Sequence, residues 1–234
     1  MTTITVFVGP SLRPADIDAL RDHAQASGVH LDVRPPACRG DLAALCDAGR
    51  ADAVLLLDGE FGQNFAVSIA EVRAVLAAGM PLHGASSMGV LRAVECRTLG
   101  MTGSGWVYER YLSGEIDADA EVALMFDPEN FEPVTIPLVN VRWLIAEKVR
   151  TGELSPRGGA SALLAAAEVN FRDRRPSRLA SAWRSHLEGE ARALELELAD
   201  GNRDRWDRKR LDGIEALRAV TKSATGQKDE RTWG

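Results

Sequence analysis

Short apolar runs alternate along the first hundred residues with stretches whose apolar positions recur at helical spacing. Runs at 4–8, 29–33, 53–57 and 81–85 predict strands, and 14–26, 39–48, 67–78 and 87–99 predict helices. Pro14 suits a first helical turn, where a missing N–H costs little, and Gly49, Gly79 and Gly100 follow three of the helices as stop signals. The run at 53–57 is apolar throughout, as expected of a strand covered on both faces. The alternation predicts an α/β fold: a parallel sheet of about four or more strands flanked by helices.

From Gly103 the pattern changes. A helix is expected over 107–112, an acidic loop over 114–121 and a strand over 122–126; Pro128, Pro133 and Pro137 then interrupt the chain. Beyond them the spacing is helical only, over 138–150, 156–169, 177–198 and 203–220. The expected organisation is an α/β core over 1–135, an all-helical C-terminal region over 136–222 and a polar, flexible tail over 223–234. The charges on the late helices fit a solvated face or a protein-docking surface.

Composition narrows the class. With 45% apolar residues in 234, the chain can bury a core without disulfides or a structural metal, and its net charge of −6 opposes a nucleic-acid-binding surface. The first apolar run has no basic segment before it and reads as a strand, not a signal peptide. No apolar stretch has the length of a membrane span. Cys38, Cys46 and Cys96 form no CxxC and read as reduced thiols, so a cytoplasmic location is expected.

Ligands of an open parallel sheet bind where the loops after the strands gather. Here those loops are rich in small residues: Gly9-Pro10-Ser11-Leu12; Pro35 to Asp41, with Arg39; Asp58-Gly59-Glu60-Phe61-Gly62-Gln63; and Gly84-Ala85-Ser86-Ser87-Met88-Gly89. The last has the layout of a nucleophile elbow, a serine between strand and helix with small residues two before and two after. Read that way it centres on Ser87, with Ala85 in place of the usual first glycine. The N–H groups of the following helix would stabilise an oxyanion. The plain alternative is that Ser86 or Ser87 caps that helix. A serine nucleophile needs a base. His83 is the nearest candidate, and Lys148 and Lys209 lie on later helices, where a lysine would have to be held neutral by burial. Asp58 and Glu60 suit a metal, a proton or merely a turn. Asp117, Asp119 and Glu121 lack the later glycine and glutamate of a calcium loop, no Walker or dinucleotide fingerprint is present, and no metal or cofactor is expected. Cys38 and Cys96 fit small buried hydrophobes better than persulfide carriers.

Together these stretches resemble the TfuA family. The matching pieces are Val8 through Leu12, Pro35-Pro36 with Arg39-Gly40-Asp41, Leu57-Asp58-Gly59 with Phe61, and, most specifically, Gly84-Ala85-Ser86-Ser87-Met88-Gly89-Val90-Leu91-Arg92-Ala93-Val94-Glu95. Gly100-Met101 with Gly103 and Gly105, then Tyr111, Gly114, Asp119 and Glu121-Val122-Ala123, continue the likeness; Val139-Asn140-Val141-Arg142 and Lys209-Arg210-Leu211-Asp212 extend it. The resemblance implies an accessory of a YcaO enzyme, which replaces a backbone amide oxygen of a precursor peptide with sulfur. It implies release of sulfide from the thiocarboxylated end of a ThiS-like carrier protein by a Ser–Lys pair. Ser87 matches the serine. Ser11, Arg39, Asp58, Ser86, Arg92 and Glu95 are the residues that would meet substrate or partner.

The lysine is ambiguous. The family often carries His-Lys-Glu-Ile in the helix before the serine strand, where this chain has Ile69-Ala70-Glu71-Val72. Either the base was lost at Ala70, or Lys209 supplies it. Two functions follow: a serine hydrolase acting on a carrier thiocarboxylate, or a non-catalytic adaptor that docks carrier and peptide on YcaO.

Overall fold

The computed structural model describes every residue except Arg50, Gln63, Glu188, Asp200 and 227–234, so that last part of the expected tail lies outside the described residues. It divides into two compact units, one of residues Met1–Glu115 with the chain from Asp212 onward, the other of Ile116–Leu211.

In the first unit β1 (Thr2–Phe7), β2 (Val29–Arg34), β3 (Ala53–Leu56), β4 (Leu82–Gly84) and β5 (Thr102–Gly103) form a parallel sheet in the order β2-β1-β3-β4-β5. The α/β expectation holds, and the fifth strand is an addition to the four read from the sequence. Between them run α1 (Pro14–Ala26), α2 (Asp41–Ala48), α3 (Ile69–Ala77) and α4 (Met88–Glu95), and α5 (Trp106–Leu112) follows β5. Strand order reverses between β1 and β3, which makes the loops after those two strands the switch point of the sheet.

Alternation along the strands explains the layers. Ile4, Val6 and Val8, with Leu55 and Leu57, pack in one core with Leu20 and Ala24 of α1. Ala216 and Leu217 complete it; they belong to α10 (Arg208–Ala224), the last helix among the described residues. Near its start Asp212, fully buried, accepts the Trp106 and Val107 amides at 3.1 and 2.8 Å and so caps α5 from a distance of about a hundred residues. Gly105 must be glycine there: its φ is +102°, and a Cβ would lie 2.5 Å from the Asp212 carboxyl carbon.

The second unit is helical: α6 (Leu138–Arg150), α7 (Pro156–Glu168), α8 (Pro176–His186) and α9 (Ala191–Glu195). Trp183, fully buried, anchors its core and donates its indole N–H to the Ala162 carbonyl. The small face of α7 lets α6 approach; a Cβ on Gly159 would come within 2.5 Å of Val149. Three sequence expectations change here. No strand forms over 122–126. The Val122 carbonyl accepts Lys209 Nζ, the Met125 amide donates to Thr135 Oγ1, and a single bridge, Phe126 to Pro133, is all that pairs. The helix expected over 177–198 breaks into α8 and α9. Gly189, at φ +82°, reverses the chain, and Arg184 then grips Glu195 with two hydrogen bonds of 2.7 and 2.8 Å. The last helix starts at Arg208, after a single 3-10 turn at Arg203–Arg205.

Candidate functional site

Asp58 is buried at the end of β3, and its side chain ties the switch-point loops together. Oδ2 accepts the Gly9 and Ser11 amides, each at 2.9 Å, and Oδ1 accepts the Ser11 hydroxyl at 2.7 Å. Ser11 Oγ in turn accepts the Ser86 hydroxyl at 2.7 Å. A directed chain thus runs from Ser86 through Ser11 to Asp58, all three buried. Next to it the loop after β2 pairs with the loop after β3, Ala37 N–H on the Asp58 carbonyl and Glu60 N–H on the Ala37 carbonyl. Gly59 is needed for this closeness, since a Cβ there would lie 2.9 Å from Met88 Cγ and 3.0 Å from the Ala37 carbonyl oxygen.

The turn after β4 is built on two more glycines. A Cβ on Gly84 would stand 2.0 Å from the Gly89 carbonyl oxygen, and one on Gly89 1.8 Å from the Leu56 carbonyl oxygen. Strand and helix therefore touch backbone to backbone, and the chain between them must bend sharply. The left-handed residue of the bend is Ser86, at φ +69°. A serine there carries strain that the surrounding packing sustains, as at many functional turns. The left-handed bend thus falls on Ser86, and Ser87 follows it as the residue that opens α4.

Ser87 is the N-cap residue of α4, yet its side chain makes no capping hydrogen bond, so the capping alternative fails for it. Ser86 does not cap either; its hydroxyl goes to Ser11. The Ser87 amide is taken by the Ala85 carbonyl and the Gly89 amide by the Leu57 carbonyl. Among the described residues no hydrogen bond is found for the Met88 amide, which follows Ser87 directly. A hydroxyl at the head of α4 beside such an amide is the arrangement of a nucleophile with an oxyanion donor.

The other expected residues are arranged differently. Arg92 Nε donates to the Val67 carbonyl and its guanidinium pairs with Glu95 on the next turn of α4, so these two hold the loop before α3 and each other. Arg39 is exposed, and its amide bonds the Phe65 carbonyl. Ala70 is exposed in the first turn of α3, while Glu71 beside it accepts the Ser68 hydroxyl and amide and the Gly40 amide. Glu71 is thereby a structural cap that fixes α3 against the loop before α2.

Lys209 belongs to the second unit and is buried, its Nζ 3.0 Å from the Val122 carbonyl and its amide on Asn140 Oδ1. Asn140 also donates to Asp207, and Arg142 forks onto Glu121 at 2.6 and 2.8 Å. Lys148 is bound by Glu153 and Glu197. Burial alone would lower its pKa, but the two carboxylates outweigh that and raise it, so Lys148 is a poor base. His83 has partners other than the two serines of the turn. Its ring nitrogens meet Thr102 and Ser104, and burial lowers its pKa to about 4. Sequence reasoning passed over Ser104, whose signal was Gly103-Ser104-Gly105 between a strand and a helix. Burial also pushes the Cys38 and Cys96 thiols up, with neighbouring carboxylates in support, which disfavours the thiolate a sulfur carrier needs.

No group of His, Cys, Asp or Glu among the described residues has the makings of a metal site, and no helix is long and apolar enough to cross a membrane. A protein-family model described as TfuA-like protein matches residues 58–175, which takes in Asp58, the serine turn, β5, α5, α6 and α7. A search of the curated proteins gives no match.

Proposed function

The chain belongs to the TfuA-like family, and from that premise we propose that it is an accessory of YcaO-dependent peptide thioamidation which releases sulfide from a thiocarboxylated ThiS-like carrier. The observation that carries this reading is the serine turn: an uncapped Ser87 hydroxyl at the head of α4, on a bend held by left-handed Ser86 and the Ser86–Ser11–Asp58 chain. Its place beside the switch point fits a site that takes an extended chain end between the loops.

In this reaction Ser87 Oγ attacks the thioacid carbonyl carbon, and its proton passes to a base. The Met88 amide faces the oxygen that becomes negative. The carbon–sulfur bond breaks, sulfide leaves, and water then hydrolyses the acyl-serine to give the carrier carboxylate and free Ser87. The proposed base is Lys209. Sulfide is delivered to YcaO, and the precursor peptide and carrier are the other partners.

An adaptor without bond cleavage is the second reading, favoured by Lys209 Nζ being held on a backbone carbonyl. Single-turnover conversion of thiocarboxylated carrier to carboxylate, followed by intact mass and sulfide release, separates the two. The hydrolase reading expects Ser87→Ala to stop conversion, Lys209→Ala to slow it roughly 10²-fold or more, and Ala70→Lys to change nothing. A folded Ser87→Ala protein that converts carrier as fast as the parent leaves only the adaptor, whose measure is binding to YcaO.

A further inference from the structure

Away from the serine turn, the first unit contains a cavity of about 740 Å³. Val54, Pro81 and Val220 supply apolar walls, and Asp52 and Glu109 stand among the lining residues, which include no lysine or arginine among the described residues. His83, Thr102 and Ser104 line it too. His83 Nε2 lies 2.8 Å from Ser104 Oγ, and Nδ1 lies 2.9 Å from Thr102 Oγ1.

Of the two tautomers of the ring, one gives the Ser104 hydroxyl an acceptor. In it the Thr102 hydroxyl, 3.5 Å from the Leu82 carbonyl, donates there and accepts from Nδ1–H. Nε2 is then the acceptor, and Ser104 is the donor. Ser104 itself is fixed by its amide on the Gly84 carbonyl, and His83 by its place in β4 between β3 and β5. The result is a serine hydroxyl aimed at a neutral imidazole whose second nitrogen is oriented by a third group, opening on a cavity large enough for a small molecule.

We infer that Ser104 and His83 form a second nucleophilic site, separate from Ser87, which acts on small uncharged or cationic carboxylic esters or thioesters. Ser104 Oγ attacks the acyl carbon while its proton moves to His83 Nε2. The alcohol or thiol leaves with that proton, and water, deprotonated by the same nitrogen, releases the acid and restores Ser104. Burial keeps the ring neutral at neutral pH, so Nε2 can accept a proton, at some cost in basicity. The carboxylates of Asp52 and Glu109 in the lining select against anionic acyl groups.

The test uses the full chain with an uncharged alkyl fluorophosphonate, followed by peptide mapping, and with 4-nitrophenyl acetate. Label is expected on the peptide that carries Ser104, and is absent from that peptide in Ser104→Ala; label on the peptide that carries Ser87 reports the other site. His83→Gln, checked for folding by circular dichroism, should slow labelling of Ser104 roughly 10²–10⁴-fold. If His83→Gln does not fold, Thr102→Val, which removes the partner of Nδ1, should slow labelling while leaving the protein folded. An ester with a trimethylammonium group should be cleaved faster than one with a free carboxylate. Labelling that avoids Ser104, or that proceeds on Ser104 at the same rate without the imidazole or its Thr102 partner, overturns the inference. Preference for the anionic ester overturns the substrate class. Because mapping reads the Ser104 peptide by itself, while the carrier reaction is read through Ser87→Ala, the two readings fail independently.

Discussion

Replacing Asp58 tests whether the switch-point network is the frame of the serine turn. Its carboxylate receives two amides and one hydroxyl, from Gly9 and Ser11, in a buried place. Asp58→Ala removes three bonds to a charged group, each worth about 1.5–3 kcal/mol net, and leaves two backbone donors without a partner. These terms overlap and do not sum. An expected loss of about 3–5 kcal/mol is a large part of the roughly 5–15 kcal/mol that holds a domain folded. Asp58→Asn is milder. Its amide oxygen can keep the Gly9 and Ser11 amides, but its NH₂ then faces Ser11 Oγ and donates. Ser11 must accept from both sides, and its own proton loses its acceptor. About 1–2 kcal/mol is expected, with the chain from Ser86 left without a terminal acceptor. Urea unfolding followed by circular dichroism measures both, provided the slope with denaturant is unchanged. A loss under about 1 kcal/mol for Asp58→Ala would refute the account of this network as the tie between the two loops.

Gly89→Ala should cost about 3 kcal/mol or more, because the new Cβ would meet the Leu56 backbone oxygen at 1.8 Å and neither strand nor helix can give way; a urea midpoint close to that of the parent would count against the close approach. His83 predicts an acid-sensitive term. Burial lowers its pKa from 6.5 to about 4, so the unfolded chain takes up the proton first as pH falls. Its contribution is complete above about pH 6.5, declines between 6.5 and 4, and levels off below, a total of about 3 kcal/mol. The stability difference between the parent and His83→Gln should shift by about that amount over this window, and parallel curves would show that the imidazole is not held neutral.

The sequence by itself determined the local parts. Alternating apolar runs place β1 to β4 and α1 to α4, because burial on one face or both is written in a period of two or of 3.6 residues. Family-like pieces and the order of strand and turn also put Ser11, Asp58 and the two serines on loops after strands. What the sequence could not carry were contacts between residues far apart in the chain. Ser11 meets Asp58 at a separation of 47 residues and Ser86 at 75, and both depend on which strands lie next to β1. In sequence the serine turn was read as an elbow centred on Ser87 or as a helix cap. The close approach of Gly84 and Gly89, which forces the bend onto Ser86, is a matter of backbone packing. The lysine of the late Lys-Arg-Leu-Asp stretch was read for its chemistry. Tertiary structure seats it on the Val122 carbonyl and makes the neighbouring Asp212 the cap of α5. His83 and Ser104 looked unrelated, one in a strand and one between glycines, until the pairing of β4 with β5 set them 2.8 Å apart. Periodicity records what each residue buries; only the folded chain decides which polar group it is buried against.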